Sequence, residues 1–136
     1  MPLISWSEKF SINVKLIDDQ HRRLFELANS LSDQDIGSSS RESFEKVLNE
    51  LIDYTKYHFS SEEKLMIDND YPYLAQQKQD HDIFAQKVIG FHANFTEGKP
   101  VSTIEFFKFL YDWLTKHIME KDKKIGHYLE TKIIRA

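Results

Sequence analysis

Residues 44–65 read FEKVLNELIDYTKYHFSSEEKL. Phe44, Val47, Leu48, Leu51 and Leu65 recur at three- and four-residue steps, which is the period of one face of an α-helix. No strict alternation of apolar and polar residues competes with that reading, so the segment is predicted as one long amphipathic helix. Thr55, His58 and Glu62 fall on the same stripe. A carboxylate turned towards a core costs several kcal/mol unless it is paired or binds a cation. The stretch therefore sets both the fold class and a chemical question.

Three further segments carry stripes of the same kind. A first helix, capped by Asp18 or Asp19 and running to about Asp35, places Ile17, His21, Leu24, Ala28 and Leu31 on one face. The helix of the opening stretch starts from a capping-box pattern, Ser39 with Glu42, beyond the loop at Gly37–Ser40, and continues to about Ile67. After a break at Asp68–Asp70, Pro72 suits the first turn of a third helix. That helix ends near Thr96 and aligns Leu74, Gln77, His81, Phe84, Val88, Phe91 and Phe95. Ser102 with Glu105 repeats the capping-box pattern for a fourth, with Phe107, Leu110, Leu114 and His117. The spacing predicts an all-α, up-down-up-down antiparallel four-helix bundle with an N-terminal arm, residues 1–136 forming one domain.

The last stripe breaks phase. Beyond His117 a regular helix face would continue at Lys121, but the pattern resumes one residue late as Asp122, Ile125, Leu129 and Ile133. An unbroken α-helix would set His117 and Asp122 about 140° apart. A single π-turn absorbs the extra residue and brings Asp122 under His117; such turns concentrate at functional sites. An irregular turn is predicted between them.

Composition narrows the chemistry. The 136 residues contain no cysteine, so disulfides, thiolate metal sites and cysteine nucleophiles are excluded. No signal-peptide pattern opens the chain and no apolar run approaches the ~20 residues of a membrane helix, which predicts a cytoplasmic protein without a membrane partner. The net charge is -4 with scattered basic residues, which argues against nucleic acid. His92, between Phe91 and Phe95, and His127, off the late stripe, are assigned structural or surface roles.

No Lys or Arg lies on the core stripes to neutralise Glu62 and Asp122. The remaining partners are His21, His58, His81 and His117, and imidazoles with carboxylates form a donor set suited to divalent first-row metals. Helices of a bundle can aim such groups at one point from several directions. The set exceeds what one tetrahedral ion takes, so two metals fit better than one. Any one of these histidines alone would read as a hydrogen-bonded core residue, and either acid alone as a group at a wet bundle end. Together they read as a site.

The runs at His21, at His58–Glu62 (HFSSE), at Gln77–His81 (QKQDH) and at His117–Asp122 (HIMEKD), with Trp6 and the segments DDQHRRLFELAN, YTKYHFSSEEKLM and WLTKHIMEKDKKIG, resemble the hemerythrin family in its single-domain bacterial branch. The resemblance covers nearly the whole chain. It implies a four-helix bundle around a non-haem di-iron centre that binds dioxygen reversibly, with no porphyrin. By the same resemblance Glu62, Asp122 and an oxo or hydroxo group bridge the two irons. His21 and His58 serve the iron that keeps a vacant position for O2, while His81 and His117 supply two of three imidazoles on the other. Phe59, Trp113, Leu114 and Ile118 form the apolar wall of the oxygen pocket, which excludes water and slows oxidation.

One position departs from the family pattern. The third imidazole of the second iron belongs at position 77, where this chain has Gln; only 77 stands one turn before His81 on the same face. The Gln77 amide oxygen can coordinate as a harder, weaker donor, Gln77 can hydrogen-bond a water that coordinates instead, or the site can lose that iron partly or wholly. Retention of both irons is the expectation, with altered potential and faster autoxidation. The implied function is storage, delivery or sensing of dioxygen, or binding of another small diatomic or peroxide ligand. A sensing role would need an output partner or an output domain in a longer protein. The alternatives are a di-iron enzyme that reduces peroxide or oxidises small substrates through positions opened at Gln77, and a metal-free interaction module. Oligomeric state is not encoded in any of these patterns.

Overall fold

A computed structural model describes residues 3–34 and 41–135, the side chains of 133–135 excepted. Among the described residues the secondary structure is helical throughout: a short 3-10 turn at Glu8–Phe10, α1 (Lys15–Asp33), α2 (Arg41–Asp68), α3 (Leu74–Thr96), α4 (Thr103–His117), a π-helical turn (Ile118–Asp122) and α5 (Lys123–Arg135). The backbone stays in the right-handed helical region from α4 through the π-turn into α5, so these three make one continuous rod. Lys123 N–H reaches back five residues to the Ile118 carbonyl, the phase correction that the late stripe called for.

The caps agree with expectation at one end and differ at others. Ser102 Oγ accepts the Glu105 N–H at 3.2 Å and opens α4 as predicted. By contrast α1 starts at Lys15 behind Val14, which offers no side-chain cap. Asp18 is therefore not a cap: its carboxylate accepts Ser11 Oγ–H at 2.6 Å and the Ile12 N–H at 2.9 Å, tying down the arm. Asp19 pairs instead with Lys15 at 2.7 Å on the surface. Pro72 sits in the turn ahead of α3 rather than inside its first turn, because the chain reverses there through Asp70 at φ 54°. The Ser39 capping box, the Gly37–Ser40 loop, Asp35 and the side chain of Ile133 lie outside the described residues.

Helix α1 packs on α2 and α4, and α2 packs on α3, with short reversals at 69–73 and 97–102. The fold is the expected four-helix bundle. Its main core joins Leu24, Ala28 and Leu31 to Phe44, Leu48, Leu51, Phe84, Val88, Phe95, Leu110 and Leu114, all buried. On α4 it is Phe106, stacked 4.0 Å from Phe91, that is buried, and Phe107 is half-buried. A smaller cluster of Met66, Tyr71 and Ile125 closes the other end. On α2 the polar residues His58 and Glu62 fall between the two apolar clusters.

The N-terminal arm is an integral part of the packing. Ile4, Phe10 and Ile12 are buried, Trp6 and Phe10 pack on Phe25 at 5.7 and 5.2 Å, and Asn29 exchanges two hydrogen bonds with the Ile4 backbone. On α5, Gly126 lies directly under the Ile12 carbonyl, and a Cβ added there would collide with that oxygen. A Gly126→Ala variant is expected to lose about 1–3 kcal/mol by overpacking, offsetting the usual helical advantage of alanine. Urea unfolding would measure it, and a variant as stable as the parent would remove the arm from the stability argument.

Candidate metal centre

Seven polar side chains from all four rods converge between the apolar clusters: His21 of α1, His58 and Glu62 of α2, Gln77 and His81 of α3, His117 of α4 and Asp122 at the end of the π-turn. All are buried, Glu62 and His21 completely. The π-turn accounts for the last member, since it brings Asp122 Oδ1 to 3.2 Å from His117 Nε2.

The two carboxylates each face both halves of the cluster. Glu62 turns Oε2 to His21 Nε2 at 3.0 Å and His58 Nε2 at 2.9 Å, and Oε1 to His81 Nε2 at 3.1 Å. Asp122 turns Oδ2 to His21 Nε2 at 3.1 Å, and Oδ1 to His117 Nε2 and to the Gln77 amide nitrogen, which donates to it at 3.1 Å. Ligating atoms thus fall into two overlapping groups, His21, His58, Glu62 and Asp122 in one and Glu62, His81 and His117 in the other, each within 4.8 Å. A carboxylate with one oxygen towards each group has the form needed to bridge two cations.

Groups around the cluster orient the imidazoles. Gln20 Oε1 accepts from His58 Nδ1 at 2.7 Å, and the Gln20 side-chain N–H in turn donates to Ser61 Oγ at 3.2 Å. Glu63 Oε2 accepts from His81 Nδ1 at 2.9 Å, and the carboxylate of Asp80 stands 3.7 Å from His117 Nδ1. With Nδ1 of His58 and His81 donating outward, Nε2 is the atom each presents inward, the arrangement that tunes metal-ligating histidines. Gln20, Glu63 and Asp80 carry no sequence signal beyond standing next to a ligand candidate in the chain, so the spacing of residues does not single them out.

Electrostatics report the same demand for positive charge. Burial alone would raise Glu62, but His58, His21 and His81 hold it well below the ordinary carboxylate range. Burial and Glu62 would raise Asp122, and His117 and His21 bring it down instead. Burial would lower His21, yet hydrogen bonds to Asp122 and Glu62 lift it to about 9. His81 is raised by Glu62 and Glu63 against the same burial, whereas His58 is lowered by its desolvation. The raised values of His21 and His81 reflect the negative charge that the two buried acids concentrate at this point.

The residues present fit two first-row metal ions. Besides the donor set, buried Gln77 Oε1 has no hydrogen-bond partner, and neither does His117 Nε2 within strict geometry. Donor atoms left without partners at a carboxylate-rich point are what coordination would satisfy.

Phe59 stacks on His81 at 3.8 Å and Trp113 on His117 at 4.2 Å, and the two rings meet at 5.8 Å. Leu114 and Ile118 are buried in the same core cluster as Phe59, and Trp113 packs against that cluster. His92 is half-buried and His127 exposed, both away from the cluster.

The model of the hemerythrin HHE cation-binding domain matches residues 13–129. The chain belongs to the hemerythrin family. It is 35% identical to a bacteriohemerythrin of Stenotrophomonas maltophilia over 90% of this chain and 79% of that protein, and 34% identical to one of Methylococcus capsulatus over 93% and 96%. A wild-type hemerythrin crystal structure superposes with a TM-score of 0.88 at 34% identity, covering 93% of this chain and 98% of that one. As a hemerythrin-family chain it uses a di-iron centre, and the converging His, Glu and Asp groups are where such a centre fits.

Proposed function

We propose that this protein is a reversible dioxygen binder of the cytoplasm, used to store, deliver or sense O2, with residues 1–136 acting as one domain. The observation that carries this is the double presentation of Glu62 and Asp122, each with one oxygen towards either histidine group. His21 and His58 would hold one iron and His81 and His117 the other, with Glu62 and Asp122 offering an oxygen to each. When bound there, a pair of ferrous ions would supply the electrons for reversible O2 binding. The chain's own part is to keep that centre dry. Phe59, Trp113, Leu114 and Ile118 wall it with apolar surface, and Gln20 and Glu63 fix the imidazole tautomers. No helix of the described residues is long and apolar enough to cross a membrane.

Exposure of the anaerobically ferrous-loaded protein to air should produce new near-ultraviolet and visible absorption that vanishes under argon over repeated cycles. A single irreversible change, with no return under argon, would contradict reversible binding.

At position 77 the amide N–H donates to Asp122 at 3.1 Å, and its buried oxygen has no hydrogen-bond partner. We take Gln77 as a weak oxygen ligand of the second iron. Restoring nitrogen with Gln77→His should tighten that iron about 10–100-fold, the scale of ligand-environment changes, and slow autoxidation. Chelator competition and the decay of the air-induced absorption would measure both; equal values in the two proteins would remove Gln77 from the centre.

A further inference from the structure

Beside Gln77 the surface opens into a cleft of about 430 Å³ lined by Tyr71, Tyr73, Gln76, Gln77, Lys121 and Lys124. The charge of this lining is one-sided. Among the described residues its charged groups are two lysines, both exposed, and no carboxylate lines it. Gln77 is the deepest member at 3% exposure, and its Oε1 is buried without a partner. The same side chain therefore belongs both to the cleft and, through its 3.1 Å bond to Asp122, to the metal cluster. Phe59, Trp113, Leu114 and Ile118 take no part in this lining, so the cleft is separate from the apolar wall and meets the cluster at Gln77.

We propose that the cleft is a binding site for a small monovalent anion such as azide, nitrite or formate, drawn in by Lys121 and Lys124 and seated by Gln77 beside the metal position of His81 and His117. The inference rests on the di-iron reading. Two ammonium groups raise the local concentration of an anion and give nothing to neutral O2, so the cleft and the apolar flank sort ligands by charge. A neutral amide leaves more positive charge uncompensated at the second metal than a strong imidazole donor does, and it can be displaced or can turn its N–H towards an incoming anion. Without an arginine the cleft has no fork for a phosphate, and its depth at a buried amide suits an anion of a few atoms.

The test is an azide titration of the iron-loaded protein, followed by calorimetry and by the infrared stretch of bound azide, with iron counted in the same samples. Two azides per chain with distinct stretches are expected in the parent and one in Gln77→His. A Lys121→Glu/Lys124→Glu double variant, changed only at exposed side chains, should weaken the second azide at least about tenfold at low ionic strength. That difference should shrink above ~0.1 M salt, as screening requires, and leave the first azide unaffected. One azide per chain in a parent carrying two irons, or a charge-reversal variant with unchanged affinity, overturns this site alone. A parent that takes up no iron overturns the di-iron reading together with it.

Discussion

Glu62→Ala should leave the bundle unable to retain either iron. The side chain is completely buried and touches three of the four imidazoles, two through one oxygen and one through the other. Removing it deletes a donor from both halves at once and takes away one of the two buried negative charges that compensate the cations. The loss should exceed the roughly 10–100-fold weakening typical of an outer-group change, so iron after anaerobic ferrous reconstitution falls to background. Glu63→Gln is the matched control, because Glu63 only orients His81 through Nδ1. It should stay within that range and keep both irons. Without metal, Glu62→Ala also strands His21 and His81 beside a single acid, and breaking a buried ion pair by removing one partner costs about 3–5 kcal/mol. A Glu62→Ala protein that kept two irons per chain would show that the carboxylate does not bridge.

How much of this could be read in advance depends on the kind of information each residue carries. Periodicity placed His21, His58, Glu62, Gln77, His81 and His117 on interior faces, because a helix face is a local property of the chain. The displacement of Asp122 by one residue was also legible, since a π-turn leaves its trace in the spacing of apolar residues, and the structure has that turn at Ile118–Asp122. Asp18 was misjudged for the opposite reason. Its partners, Ser11 and Ile12, belong to an arm whose path over α1 is a tertiary fact, and an acid near a helix start looks the same whether it caps or tethers. Gln20, Glu63 and Asp80 were invisible because orienting a ring needs only a polar atom nearby, which any helix position can provide. The cleft at Gln77 joins the turn before α3 to the π-turn and α5, two segments about fifty residues apart.

Stripped of metal, the protein should be most stable in a window around neutrality, and metal should extend that window on the alkaline side. Glu62 and Asp122 have lowered values, so their contribution is present above the ordinary carboxylate range and is lost as pH falls through the lower folded values. His58, lowered by burial, acts in the same direction: charging it in acid opposes folding. His21 has the opposite sign. Its rise from 6.5 to about 9, where burial is outweighed by Asp122 and Glu62, contributes about 3 kcal/mol in full below pH 6.5 and is lost as pH climbs through 9. His81 is raised as well and adds to that alkaline loss. Above that range the two acids face neutral imidazoles and repel each other without compensation. Metal ions need those same imidazoles deprotonated, so loading displaces the protons on His21 and His81. Each proton displaced strengthens apparent metal affinity about tenfold per pH unit while its histidine remains protonated in the metal-free protein. The Tm of chelator-treated protein should therefore fall from about pH 7 to pH 10 while that of metal-loaded protein holds, the gap widening with pH. Zinc-loaded samples followed by circular dichroism would show this without interference from oxygen. Melting curves that ran parallel across that range would mean that the protons on His21 and His81 do not occupy the place of the cations.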